Sequence, residues 1–345
     1  MGPILTDRPD TVGKEHLFMG FSYQHFNFNA IDGIALKSLP NAVEKDLTPG
    51  ASTSTDQTFY SSDSNNVSFQ LNQYVGMLTY GVTRSTDVSV IIPYNTVSLG
   101  ITSTGFEAYL YNAGTYTQDI GFPANTKLVT SGSAHGIGDI TINLKQLLIG
   151  QEGGRPAIAA GASFRIPSGD ELNYLGSGAW GGNAYGLFEY RARLTPHLKL
   201  SYQWNNVSAL VTNSSTGKSN RLPGGLQYDA GVDFKIVRTV TLAADILGSE
   251  VIAAPSIVRN TITLAAPILQ SGATGPTSPP VASMPGLLAG SYSPYTTVNY
   301  SAGLKWSPHA HLLVYGNIMM QANNVGLRSA PVPLFGVAYN LKTRR

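Results

Sequence analysis

The chain has 345 residues, 22 basic against 20 acidic side chains and no cysteine. Near-neutrality excludes the basic surface that a nucleic-acid partner needs, and the missing thiols exclude disulfides and thiolate metal sites. Charged residues make up 12% of the chain, against roughly 25% in soluble globular proteins, so Ser, Thr, Asn, Gln, Gly and Tyr supply the polarity, as suits a wall with one face in lipid and one in water.

The N-terminus, Met1-Gly2-Pro3-Ile4-Leu5, lacks the basic, apolar and cleavage regions of a secretory signal, so the chain reads as mature or trimmed. In this segment Arg8 stands between Asp7 and Asp10, beside a proline that disfavours helix. Asp7, Arg8 and Asp10 are candidates for a plug in the periplasmic mouth; a solvated periplasmic tail is the other reading. Asp7 and Asp10 lack a third convergent ligand, so no metal site is read here.

From residue 67 onward the pattern has period two. Between Leu226 and Ile236 the even positions are Leu226, Tyr228, Ala230, Val232, Phe234 and Ile236, and the odd ones Gln227, Asp229, Gly231, Asp233 and Lys235. Strand side chains alternate between faces, so one face is apolar and the other polar or small. On this basis strands are expected near 16–29, 67–82, 86–99, 137–149, 155–167, 182–194, 197–210, 225–236, 240–252, 296–306, 310–322 and 331–341. No apolar run reaches the 18 or so residues of a membrane helix.

The links alternate in length. Those after even strands are tight: Thr83 to Thr86, Gly150 to Gly154, Thr195-Pro196, Val237 to Thr239, and Ser307 to His309. Those after odd strands run longer: 30–66, 100–136, 168–181, 211–224, 253–295 and 323–330. Short periplasmic turns, long extracellular loops and an even strand count are the pattern of an outer-membrane barrel. The expected fold is therefore all-β, a single antiparallel transmembrane barrel of about 12 strands over residues 16–341, with a basic tail at 342–345.

Three local readings accompany this. Tyr80, Tyr190, Phe234 and Trp306 stand where strands meet turns, as an interfacial aromatic girdle would. In strand 2, Phe69 and Leu71 share one parity while Leu78, Tyr80 and Val82 share the other, so a bulge is expected near Gly76. In the closing strand, Gly336, Tyr339 and Leu341 resemble the signal read by the barrel-assembly machinery, although the chain continues through Lys342-Thr343-Arg344-Arg345.

The inferred inward register carries Lys145, Arg165, Glu189, Arg191, Arg193, Lys199, Asp229, Asp233, Lys235, Asp245 and Lys305. In lipid a Lys or Arg at mid-depth costs roughly 2–4 kcal/mol, so the lumen is their place. They read either as a constriction facing a permeant or as a structural ladder of opposite charges. Loop 253–295 is apolar around Ile257-Val258, Ile262, Leu264 to Leu269 and Met284 to Leu288. It could receive a hydrophobic solute, with Phe106, Tyr109, Tyr111 and Tyr116 as an opposite wall, or pack on its own barrel or on lipid-A chains.

Hydrolysis requires a nucleophile beside a base. Of His16, His25, His135, His197, His309 and His311, none has the His-x-Ser spacing that pairs them on one strand face. His197 and His309 fall in expected turns, and Ser133 with His135 is the one candidate pair. His309 and His311 have no carboxylate nearby to complete a metal site, and Gly136-Ile137-Gly138 opens no helix for a dinucleotide. The chain is read as a non-enzyme without cofactor or metal.

Four motifs carry a family resemblance: Thr6-Asp7-Arg8-Pro9-Asp10, Gly136-Ile137-Gly138-Asp139-Ile140 with Lys145, Pro167-Ser168-Gly169-Asp170, and Gly326-Leu327-Arg328. Together they resemble the outer-membrane transporters grouped with a phenol meta-pathway degradation family, over most of the chain. The resemblance implies an outer-membrane channel for small aromatic or otherwise hydrophobic compounds. The implied partners are outer-membrane lipid and lipopolysaccharide, the barrel-assembly machinery and the solute itself. A structural or adhesive barrel with a closed lumen is the alternative.

Overall fold

The computed structural model describes residues 7–50, 57–112, 115–118, 123, 125–150, 155–212, 217–264 and 283–342. Thr6, most of the turn at Gly150 to Gly154, the apolar run from Ala265 to Leu269 and the tail at 343–345 lie outside the described residues.

Twelve wall strands form one antiparallel sheet: β1 His16–Ile31, β2 Gln57–Gly81, β3 Thr86–Asn112, β4 in two pieces Leu128–Ile137 and Ile140–Ile149, β5 Ala157–Ile166, and β6 Gly181–Glu189. The series continues with β7 Leu194–Asn205, β8 Gly225–Val237, β9 Val240–Thr263, β10 Ser283–His309, β11 Leu312–Gln321 and β12 Val332–Lys342. Each pairs with its sequence neighbours, and β12 returns to β1 through Leu17↔Leu341, Met19↔Tyr339 and Ser22↔Gly336. The closed ring has no free edge, the condition for strands to cross lipid.

Outward positions carry exposed apolar side chains, among them Leu198, Leu200 and Tyr202 on β7, Leu242 and Ile246 on β9, and Tyr300 and Leu304 on β10. Tyr80, Tyr190, Phe234 and Trp306 are exposed at the short-turn end. Phe164, Trp180 and Trp204 form a second aromatic group at the other end, with Phe164 and Trp180 stacked at 5.2 Å. Ten strand residues separate the two levels on β7, which at about 3.3 Å per residue and a tilt near 40° gives an apolar band of roughly 25 Å. That is the wall of a membrane-spanning barrel.

The strands differ from the sequence reading in instructive places. β2 runs without a register shift through Gly76, so the expected bulge is absent. Tyr74, Leu78 and Tyr80 are exposed outward while Phe69, Leu71 and Met77 are half-buried; the apolar residues of both parities are real, and one set faces the lumen. The link after β6 is 190–193, not Thr195-Pro196, because Thr195 and Pro196 already pair with Asp233 and Val232. The turn after β10 falls at 310–311, since His309 still pairs with Leu312.

β4 breaks at Gly138-Asp139, opposite the Ile92-Pro93 stretch of β3. Pro93 offers no N–H to a ladder, and its carbonyl instead accepts from the Gly138 amide at 2.8 Å. The long links at 30–66, 100–136 and 253–295 are largely not loops. β2 with β3 and β9 with β10 continue past the membrane band as paired arms. Where the arms meet, Tyr60, Tyr109, Tyr111, Tyr116, Leu264 and Met284 form a buried cluster. Burial between Tyr60 and Tyr111 pushes the Tyr116 hydroxyl up to about 12, so it stays neutral.

Candidate functional site

The N-terminal segment enters the barrel from the short-turn end. Pro9 fixes its extended path, and the side chains on either side reach the wall. Arg8, 4% exposed, meets Asp233 of β8 at 3.0 Å and Glu189 of β6 at 3.8 Å. Lys145 of β4 donates to the carbonyls of Arg8 and Asp10 at 3.0 and 2.7 Å and faces Asp7 at 3.5 Å. Arg191 pairs with Asp10 and, at 3.4 Å, with Glu189. On β3, the buried Asp87 carboxylate accepts from the Val12 amide at 3.0 Å. The segment from Asp7 to Val12 is thus held inside the barrel mouth by β3, β4, β6, the β6–β7 turn and β8.

Behind this segment the inward charges form linked pairs. Lys305 of β10 donates to Asp233 at 2.8 Å. Lys199 stands opposite Asp229 in the ladder and lies over the Tyr185 ring at 5.3 Å. His197 is not in a turn but on β7, buried, with Nε2 at 2.7 Å from Asp245. It reaches across β8 because Gly231, directly between them in register, has no side chain to obstruct it. Ser301 donates to the far oxygen of Asp245 at 3.2 Å. The serine therefore bonds the carboxylate and not the imidazole, which is not a nucleophile–base arrangement.

Arg165 sits higher, bonded to Asn205 at 2.7 Å and 3.5 Å from Asp139. Two of the residues read as inward are elsewhere. Arg193 is exposed in the β6–β7 turn, over the outward Phe234 ring at 5.4 Å. Lys235 is exposed at the same rim. Arg193 is displaced because the β6–β7 turn comes earlier than expected, and at the rim alternation no longer separates lumen from lipid. Ser133 and His135 are both exposed on β4.

The opposite side of the lumen is richer in apolar residues. Its inward positions include Phe18, Phe26 and Phe28 on β1, Phe69 and Met77 on β2, Leu313 and Met319 on β11, and Leu334 and Ala338 on β12, interspersed with the polar Gln24, Gln73, Thr79 and Asn317. Between this sector and the polar one lies a cavity of about 420 Å³, lined by Phe18, Met77, Ile91 and Leu313 on one side and by Arg8, Lys145, Tyr185 and Lys199 on the other. The alternation that located the strands could not show this division, because it treats every apolar residue as facing lipid.

The link between β5 and β6 folds inward. Asp139, freed by the break in β4, accepts from the amides of Gly169 and Ser177 at 3.1 and 2.8 Å and from the Ser177 hydroxyl. Ser168 donates to the Gly138 carbonyl at 2.8 Å and accepts from the Ile140 amide. Asp170 caps the short turn Glu171–Asn173. This knot carries Leu175 to Asn95 on the inner face of β3, 2.9 Å away, and Tyr174 to Phe69, 6.2 Å between rings. Two motifs distant in sequence, around Asp139 and around Asp170, are thus one structural unit.

The family model for "Putative MetA-pathway of phenol degradation" matches residues 55–234, just over half of the chain. The chain belongs to this family. The match spans β2 through most of β8 and so includes the inward loop knot and most of the polar sector. No curated protein matches the sequence. Among solved structures, the fold is similar to that of an outer membrane channel from Pseudomonas putida F1, at 11% identity over 96% of this chain and 98% of that one, with a TM-score of 0.50. The NanC porin (10% identity, 88% and 99% coverage, TM-score 0.41) and a Pseudomonas aeruginosa FadL homologue (10%, 98% and 93%, 0.37) also align.

Proposed function

We propose that this member of the family is an outer-membrane channel for small aromatic or otherwise hydrophobic compounds, working by passive or facilitated diffusion. The observation that carries the reading is the two-sector lumen. A molecule with a hydrocarbon body and a polar end can keep its body on the Phe18–Met77–Leu313 side and its polar end on the Lys145–Tyr185–Lys199 side. A soluble ion has no use for such an apolar sector. Pockets that combine apolar walls with a few placed polar groups suit ligands of this kind.

The eleven charges named from sequence then divide in role. Lys199 lines the cavity, Lys145 lines it while also binding the N-terminal segment, and Glu189, Asp233, Asp245 and Lys305 hold the wall and that segment. The reading implies lipid and lipopolysaccharide along the apolar band. It also implies recognition of β12 by the barrel-assembly machinery. A structural barrel with a closed lumen is the second reading, favoured by the burial of Arg8 among charges from two strands. Reconstitution separates them. Liposomes containing the protein should take up phenol-class and toluene-class compounds faster than empty liposomes, and planar bilayers should show discrete conductance. Equal uptake with no conductance would favour the closed barrel.

A further inference from the structure

Arg328 lies on the short strand Leu327–Ser329, which pairs with the end of β1. It is 5% exposed. Its Nη2 donates to the Val298 carbonyl at 2.8 Å and to Asn299 Oδ1 at 2.7 Å, while its buried Nε has no hydrogen-bond partner. Among the described residues no carboxylate pairs with it. Asp32, on the adjoining turn, directs its two oxygens at the Gly326 and Ile257 amides instead, at 2.7 and 2.6 Å. A guanidinium held out of water without a counter-charge is costly. A protein that places one against a cavity has left room for an anion.

The cavity is there. It measures about 110 Å³ and is lined by Arg328, Phe26, Phe28, Met319, Gln321 and Val332, among others. The Gln321 side-chain oxygen Oε1 is also buried and without a partner, an acceptor awaiting a donor. Phe26 and Phe28 lie nearly parallel, 6.0 Å apart with 10° between planes, and Phe28 stacks on Phe69 at 4.7 Å. An apolar cavity that encloses benzene measures about 150 Å³; this one, at about 110 Å³, takes part of a single ring, with the remainder reaching into the lumen.

We propose that this cavity is a binding site for a single-ring aromatic anion, its carboxylate or phenolate oxygen accepting from Arg328 Nε and its ring against Phe28 and Met319. A ring hydroxyl would satisfy Gln321, which makes a hydroxybenzoate the best-matched member of the class. Charge-assisted bonds to guanidinium are the strong ones, whereas an uncharged ring gains only the apolar contact. The site lies on the lumen wall and rests on the channel reading of the preceding section.

The test is calorimetric titration of the full-length protein in detergent with benzoate, the hydroxybenzoate isomers and toluene, with conductance measured on the same preparation. Benzoate should bind, one hydroxybenzoate isomer should bind more tightly, and Arg328→Gln should weaken benzoate about tenfold or more while changing toluene by no more than about twofold. Benzoate affinity unchanged by Arg328→Gln, or no tighter than toluene, would overturn the site. Should Arg328→Gln fail to assemble, Met319→Trp, which fills the cavity, must abolish benzoate binding; retained binding overturns the proposal equally. A conducting barrel that binds no benzoate removes the site alone. Binding without conductance keeps the site and removes the channel.

Discussion

Gly336 and Tyr315 face each other across β11 and β12. A Cβ on Gly336 would collide with the Tyr315 ring, so the glycine is required for that ring to lie flat on the strand, a known way to cover a strand glycine. Gly161 and Tyr185 repeat the arrangement on β5 and β6. Gly336 therefore has a packing role that is independent of any assembly signal. Gly336→Ala should destabilise the barrel by about 1–3 kcal/mol, as overpacking does, and Tyr315→Ala in the same chain should remove most of that added penalty. Urea titration of the barrel folded into lipid vesicles measures both. An effect of Gly336→Ala on assembly in cells that Tyr315→Ala does not relieve would point instead to recognition.

Asp233 is the residue on which most depends in the polar sector, since it meets both Arg8 and the buried Lys305. Asp233→Asn leaves two cations facing each other without their shared carboxylate. Breaking a buried pair by removing one partner costs about 3–5 kcal/mol. The same vesicle titration should show a loss of that order, and removing residues 1–12 together with the change should lessen it, because Arg8 then no longer adds to the uncompensated charge.

Among the elements, the wall strands follow a two-face rule and the inward loop follows a different one. Ile246, exposed on the outward face of β9, lies beside the buried Asp245. Ile246→Arg should cost about 2–4 kcal/mol, the range for a cation on the lipid face near mid-depth. A polar substitution at the inward Ser249, nearer the arms, should cost far less. Folding free energies from vesicle titration check both. The inward loop is held by backbone amides gathered on one carboxylate, which is why Asp139 could not be assigned from alternation. The signal available was its position just after a broken strand with Pro-Ser-Gly-Asp downstream, a spacing that acquires meaning only when β4 and β5 pair.

For the whole molecule, the decisive feature is how the N-terminal segment sits in the barrel. It is bound to β3, β4, β6 and β8, and the cavity beside it reaches Phe18, Met77 and Leu313. Removal of residues 1–12 should therefore raise single-channel conductance several-fold, and Arg8→Gln should give a smaller rise or more frequent transitions to a high-conductance level. Planar-bilayer recordings of the three proteins check this. Unchanged conductance after the deletion would mean that the constriction is the inward loop or the arms, not the N-terminal segment.

Period-two patterning and the alternation of short and long links were enough to determine twelve strands, their order and closure, and the end at which both termini lie. Those features depend on local pattern, and side-chain direction in a strand is fixed by parity alone. Parity could not say which apolar residues face lipid and which face the lumen, so Phe69 and Leu71 read as a bulge when they face the lumen. Nor could it fix the exact turn at 190–193, which put Arg193 in the turn and His197 on the inner face of β7. The knot at Asp139, the reach of His197 over Gly231 and the unpaired guanidinium of Arg328 were decided by tertiary structure alone. Each depends on residues distant in sequence whose juxtaposition is set by strand pairing and loop docking rather than by local pattern.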